Sequence, residues 1–243
     1  METLSDCFDF QGQQVISLIG SGGKTSLMWY LAEYYRDQTI LVSTTTKIGY
    51  PVERSYDYFY SEDFSTLGKD GHGITLAGCL AADGHKLSAL PHAVFQQSLE
   101  HFDKVFLEAD GSKQLPLKGW ETFEPVVVPE TTVTIGLVPI SVVGKAIDDR
   151  TIHRLPLFLR ATGATQGAKI HEETLAEIIT SPTGLWEKSQ GQRILCINQV
   201  ETPTQLKQAK KVLSLLPQML LKRLSKVIAC NIQSKEGIVL WEK

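Results

Sequence analysis

The stretch Val15-Ile16-Ser17-Leu18-Ile19-Gly20-Ser21-Gly22-Gly23-Lys24-Thr25-Ser26 decides how this chain reads. An apolar run enters three glycines, then a lysine and two hydroxyl residues, then a helical stretch from Leu27 to Tyr35. This is the layout of a phosphate-binding loop. Glycines let the backbone turn sharply and bring N–H groups close to phosphate oxygens. In that reading Gly20, Ser21, Gly22, Gly23 and Ser26 line a nucleotide's phosphates, Lys24 reaches the terminal ones, and Thr25 holds Mg²⁺ through its hydroxyl. The usual spacing asks for a further glycine five residues before Gly23, where this chain has Leu18. The shorter loop resembles the abbreviated one of Mur-type ligases.

Outward from the loop, short apolar runs alternate with helical patterns. Val15–Ile19 is a strand, Ser26–Arg36 its helix, and Thr39–Thr44 a β-branched second strand, so the three form a β-α-β unit. Lys104–Glu108, Val133–Val138, Ile194–Asn198 and Val227–Cys230 read as buried strands, and Ile238–Trp241 as a final antiparallel edge. Helical patterns cover Ala93–Phe102, Thr151–Ala161, Glu172–Ile179 and Thr204–Leu215. Ile74–Ala81 and Lys86–Leu90 flank Asp83-Gly84, a hairpin signal, expected as an insertion at the sheet edge or a flap. The pattern predicts one domain over residues 1–243: a P-loop NTPase-like, doubly wound, mostly parallel α/β sheet with a β-hairpin insertion and a small helical subregion at about 144–190.

Four further clusters carry chemistry. Glu108 and Asp110 end a buried strand two residues apart, where they project to one face. Such a position suits a carboxylate that holds Mg²⁺, with the second carboxylate orienting water or substrate. Thr44-Thr45-Thr46-Lys47 ends the second strand with hydroxyls and a cation suited to phosphate or carboxylate; Thr45, Thr46 and Lys47 are candidate substrate ligands. Asn198-Gln199-Val200-Glu201 occupies the place of a guanine-reading Asn-Lys-x-Asp, with Gln for Lys and Glu for Asp. Asn198 and Glu201 are therefore candidate base ligands, and both ATP and GTP remain open. Lys113, Lys118, Lys145, His153 and Arg154 form a basic set, of which Lys113, Lys118, His153 and Arg154 are candidate substrate ligands.

Composition narrows the rest. The chain has 243 residues and net charge −3, with 24 basic and 27 acidic residues interleaved, so no nucleic-acid or acidic-membrane surface is expected. No apolar run approaches the ~20 residues of a membrane span. The N-terminal residues lack signal-peptide character, which leads us to expect a cytoplasmic protein. Its four cysteines are scattered and the histidines lack metal-ligand spacing, which points away from a protein-held zinc or iron–sulfur centre.

Taken together, these residues resemble the YqeC family, accessory proteins of selenium-dependent molybdenum hydroxylases. The resemblance rests on Gly20-Ser21-Gly22-Gly23-Lys24-Thr25, Thr44-Thr45-Thr46-Lys47, Glu108-Ala109-Asp110-Gly111-Ser112 and Lys118-Gly119-Trp120. It extends to Glu124-Pro125-Val126-Val127-Val128-Pro129, Gly144-Lys145 with His153-Arg154, and Asn198 to Glu201. It implies a partner among selenium- or molybdenum-dependent hydroxylases or their maturation factors. The expectation is thus an Mg²⁺-dependent, ATP- or GTP-binding protein that matures a selenium- or molybdenum-containing cofactor. Its chemistry would be NTP hydrolysis or phosphoryl or nucleotidyl transfer, with Lys24, Glu108 and Asp110 as catalytic residues and Thr25, Glu108 and Asp110 at the metal. Alternatives are a nucleotide-switched, metallochaperone-like module with slow hydrolysis, and a Mur-ligase-like ligase or kinase acting on a small molecule. Base preference, acceptor and oligomeric state stay open at this level.

Overall fold

A computed structural model describes residues 2–12, 14–50, 56–82 and 84–243. In chain order the strands begin with β1 (Glu2–Thr3), β2 (Gln14–Gly20), β3 (Thr39–Thr44), β4 (Lys47–Gly49), β5 (Tyr58–Tyr60), β6 (Gly73–Ala77), β7 (Cys79–Leu80) and β8 (Lys86–Ser88). They continue with β9 (Lys104–Glu108), β10 (Leu117–Lys118), β11 (Val133–Pro139), β12 (Ile152–His153), β13 (Gln192–Asn198), β14 (Lys226–Asn231) and β15 (Glu236–Glu242). The α-helices are α1 (Lys24–Tyr34), α2 (His92–Ser98), α3 (Leu155–Thr162), α4 (Glu172–Thr180), α5 (Pro203–Leu215) and α6 (Gln218–Leu221).

Ten strands form one sheet in the order β1-β15-β14-β13-β11-β2-β9-β3-β6-β5. Seven of the nine pairings are parallel; β14 with β15 and β1 with β15 run antiparallel. The central strands read as continuous apolar runs because both of their faces are covered. On one face Ile16, Leu18, Ile40, Val42 and Phe106 pack with Leu27, Met28 and Leu31 of α1. On the other, Val15, Leu41, Val105 and Leu107 meet Phe95 of α2. Farther along that face Leu195, Ile197, Val227 and Ala229 share a core with Phe158 of α3, Leu175 and Ile178 of α4, and Val212 of α5. The large, mostly parallel α/β sheet expected from the strand and helix pattern is present.

Several boundaries differ from expectation. α1 starts at Lys24, two residues early, because Gly23 already serves as its N-cap. The helix expected from Thr151 begins at Leu155: Ile152–His153 is a short strand paired with β10, and Arg154 takes a left-handed φ of 58° between them. The run 74–81 is split. Gly73–Ala77 lies parallel to β3 in the main sheet, whereas Cys79–Leu80 turns back antiparallel to β8. β8 also pairs with β4, so the expected hairpin is part of a three-stranded sheet outside the main one; Asp83 of its turn lies outside the described residues. The 144–190 stretch holds α3 and α4, which pack into the main core rather than apart from it. The expected closing edge at Ile238–Trp241 is β15, antiparallel to β14 as predicted, but β1 covers its outer side.

Gly20, Thr44, Glu108, Pro139 and Asn198 all stand at the carboxyl ends of their strands. β2 lies between β11 and β9, where the chain's progress across the sheet reverses direction. In open parallel sheets, ligand crevices form at such a point.

Candidate functional site

The glycines between β2 and α1 are demanded by the neighbouring strand ends. Gly22 has φ 77°, and a Cβ there would come within 2.6 Å of the Pro139 ring. Gly23 has φ 136°, and a Cβ there would meet Asn198 Nδ2 at 2.5 Å. The Asn198 amide donates to Gly22 O at 2.7 Å and accepts from the Ile232 N–H at 3.2 Å. It thereby clamps the loop to β13 and to the end of β14. Asn198 is 3% exposed, so Asn198→Ala takes the partner from the buried Ile232 N–H and from the half-buried Gly22 O. The expected cost is about 1–3 kcal/mol, read as a fall in the urea midpoint without a change in slope; an unmoved midpoint would refute the clamp.

Lys24 opens α1 and is almost wholly buried. Its ammonium donates to Gly20 O at 2.7 Å and lies 3.2 Å from Asp110 Oδ1 and 3.8 Å from Glu108 Oε1. Burial works against the charge, but Asp110 and Glu108 outweigh it and hold the Lys24 pKa above 10.5. The folded state thus binds this proton more tightly than the unfolded chain. The resulting stabilisation is complete below the ordinary lysine value and is lost only as pH rises through the higher folded one.

The two carboxylates are not equivalent. Glu108 Oε2 accepts from the Thr25 hydroxyl at 2.6 Å, and Thr25 is exposed on the first helical turn. Asp110 is fully buried: Oδ2 accepts from the Gly20 N–H at 3.0 Å and from Trp120 Nε1 at 2.9 Å. Asp110 Oδ1 accepts no hydrogen bond and faces the Lys24 ammonium as an ion pair. The N-cap Gly23 supplies no side-chain cap, so no N-cap side chain accepts from the first N–H groups of α1, which helices otherwise leave without an intrahelical partner.

From Asp110 a line of alternating charges runs through the interior. Lys118 is fully buried, 3.3 Å from Asp110 Oδ2 and 2.7 Å from Glu124 Oε2, and it donates to Gly111 O at 2.6 Å. Glu124 in turn pairs with the Arg154 guanidinium, whose Nε lies 3.8 Å from Glu121. Burial alone would raise the Glu124 carboxyl, but hydrogen bonds from Arg154 and Lys118 hold it below its usual 4.5. Its contribution to stability is complete above that value and is lost as pH falls through the lower folded one. Burial and the nearby Arg154, Lys118 and Lys113 push the His153 imidazole below 6.5.

The structure therefore brings Gly20, Ser21, Gly22, Gly23, Lys24, Thr25, Ser26, Glu108 and Asp110 together at one place. Thr44 donates to Glu108 O at 2.8 Å, and Thr45 donates to Val126 O at 2.6 Å. Thr46 N–H donates to Thr44 Oγ1, while Lys47 is exposed at the start of β4. Lys118 is an interior counter-ion, not a surface cation. Glu201 is exposed, its N–H donating to Gln205 at the start of α5. Lys113 and Lys145 are exposed. Sequence reasoning assigned no role to Trp120 or Glu124; the signal for Glu124 was the buried lysine in Leu117-Lys118-Gly119-Trp120, which needs a carboxylate partner.

A family model described as YqeC protein matches residues 16–156. That span runs from the strand before the loop to the start of α3, and it contains every member of the ion line. A protein of Escherichia coli (strain K12) described as "Uncharacterized protein YqeC" is 28% identical over 181 residues, which cover 71% of this chain and 70% of that protein.

Proposed function

The chain belongs to the YqeC family, and we propose that it is an Mg²⁺-dependent, nucleotide-binding protein of the P-loop NTPase class. The carrying observation is the Lys24 ammonium held by Gly20 O, Asp110 and Glu108 at an uncapped helix start, beside the Thr25–Glu108 hydrogen bond. The donor set fits the proposed ligands. The uncapped N–H groups of a helix start and a lysine suit phosphate, and one hydroxyl with one carboxylate suits Mg²⁺, which keeps phosphate oxygens and water for its other positions. Among the described residues no three His, Cys, Asp or Glu are grouped to hold a metal by themselves; Mg²⁺ shared with a nucleotide does not need such a group.

In this reading Gly20, Ser21, Gly22 and Gly23 shape the phosphate cradle, and Ser26 lies in the same helical turn. Lys24 neutralises charge that develops on the terminal phosphate, and Thr25 with Glu108 holds the metal. Bound Mg²⁺ supplies charge neutralisation and alignment of the phosphates. Asp110, locked by the Gly20 N–H and Trp120, fixes the loop and the Lys24 charge. Thr45, Thr46 and Lys47 lie beyond the ends of β3 and β9 and would meet the acceptor or respond to nucleotide state. The reaction class is NTP hydrolysis or phosphoryl or nucleotidyl transfer. The proposed cellular role is maturation of a selenium- or molybdenum-containing cofactor or hydroxylase, supported by the family resemblance. A nucleotide-switched accessory module is the second reading, favoured by the ion line that leads from the loop to Arg154 at the surface.

Lys24 is already neutralised by two carboxylates, so nucleotide and metal should bind as a pair. Phosphate alone meets Glu108 and Asp110; the cation alone meets Lys24. Calorimetric titration with ATP, GTP, ADP and GDP is expected to show binding that weakens at least about tenfold when Mg²⁺ is chelated, a difference of about 1.4 kcal/mol. Guanine preference would favour the switch reading and adenine preference the transferase or ligase reading. No binding of any of the four, with or without Mg²⁺, would overturn the proposal.

A further inference from the structure

Lys113, His153 and Arg154 gather at the outer end of the ion line. The parallel pairing of β10 with β12 sets Lys118 opposite His153. Arg154 follows directly as the N-cap of α3, and its side chain is 22% exposed. The cations at Arg154, Lys118 and Lys113 all act on the His153 imidazole, and Glu124 opposes them only in part. The backbone is also unusual here. Of the five non-glycine residues with positive φ among the described residues, Lys113 (49°), Gln114 (62°) and Arg154 (58°) lie in this region. Each such conformation costs on the order of 1 kcal/mol and persists where surrounding structure imposes it.

Arg154 differs from an ordinary surface arginine. Glu124 fixes its guanidinium through two nitrogens, and that carboxylate is itself pinned by the buried Lys118. A guanidinium carries five N–H donors, so the group is oriented yet keeps donors to offer. The ring of Phe123 lies 5.8 Å from it and is 61% exposed, which places an apolar surface beside a positioned cation.

We infer that Lys113, His153 and Arg154 form a subsite for the oxyanion, phosphate or carboxylate, of a small-molecule acceptor, with Phe123 flanking its apolar portion. This assignment rests on the nucleotide-loop reading for its place in the reaction. Glu124, Lys118 and Asp110 link the subsite to Lys24. An anion arriving at Arg154 competes with Glu124 and is felt at the loop, so acceptor binding would raise turnover and not affinity alone.

The test follows the His153 imidazole resonance by ¹H–¹³C NMR at fixed pH while inorganic phosphate is added, with succinate as a second arm. A saturable shift is expected. Arg154→Gln should weaken it at least about fivefold, about 1 kcal/mol in affinity. Lys113→Gln, at an exposed position that leaves the interior network intact, should weaken it in the same direction. Lys24→Ala, studied below its melting temperature, should leave the response in place. The stronger arm identifies a phosphorylated or a carboxylate acceptor. No shift with either anion, or a shift unchanged in both Arg154→Gln and Lys113→Gln, would overturn the subsite. So would a shift abolished by Lys24→Ala alone, since the anion would then sit at the loop. A retained shift with no nucleotide binding in calorimetry would instead sink the loop reading and leave the subsite standing.

Discussion

Lys24→Ala is expected to lose Mg²⁺-dependent nucleotide binding by about a hundredfold or more and also to melt lower than the wild type. In the proposed reading the binding loss follows from removing the buried cation of the loop; truncating a buried, hydrogen-bonded charge typically costs ~2–5 kcal/mol. The stability loss has a separate cause. Glu108 and Asp110 lie 3.8 and 3.2 Å from that ammonium, and without it both are buried beside no compensating neighbour except Lys118. Breaking one side of a buried ion pair costs about 3–5 kcal/mol, about 10 °C for a chain of this size. The sign with pH is distinctive. In the wild type Lys24 holds its proton above the ordinary lysine value of 10.5, so the deficit should be full at neutral pH and shrink only as pH rises through the higher folded value. Thermal scans from pH 7 upward past that ordinary value read this directly. A deficit that does not shrink at alkaline pH would mean that the Lys24 charge is not what the carboxylates stabilise.

The second large effect is expected at Lys118, although it is too far inside to meet a ligand. Lys118→Met keeps the apolar stem but removes the charge between Asp110 and Glu124, again at a cost of about 3–5 kcal/mol. Nucleotide affinity should fall as well, by about tenfold, because Asp110 loses one of the partners that hold it against the Gly20 N–H. Adding Glu124→Gln should recover about 1 kcal/mol or more of the lost stability, the coupling expected of residues in one network. Additive single-mutant costs would show that the charges do not act as a unit. Unfolding followed in urea for the two single variants and the double variant closes the cycle.

Much of the sheet was legible because its strands obey a local rule. Lys104–Glu108 and Ile194–Asn198 are apolar without alternation, as strands covered on both faces must be. The short β1, β5 and β12 were not legible. β1 and β5 are edge pieces of two and three residues, and β12 sits inside a stretch whose spacing suits a helix. What stops that helix is the left-handed backbone at Arg154, which side-chain periodicity does not encode. The turn from Gly20 to Thr25 between β2 and α1 was readable because its glycines are contiguous with the strand and helix patterns that flank it. Asn198 was read as a base ligand, while the structure ties it to Gly22, 176 residues away. Glu124 serves Lys118 six residues away and Arg154 thirty residues away. The pairings of Asn198 with Gly22 and of Glu124 with Arg154 are set by topology, and no short window contains both ends.

The seam between β1 and β15 carries a consequence for synthesis. Glu2 lies opposite Gly237, Leu4 donates its N–H to Lys235 O, and Leu4 and Cys7 are wholly buried there. Leu4 and Cys7 thus share a seam with residues translated more than 220 positions after them. At ~5–20 residues per second the two sides of that seam are made on the order of 10–50 s apart. The segment from Glu2 to Cys7 becomes a latch of the fold, shut only once β15 is made. Until then its β15-facing side is open to chaperones or to other unfinished chains.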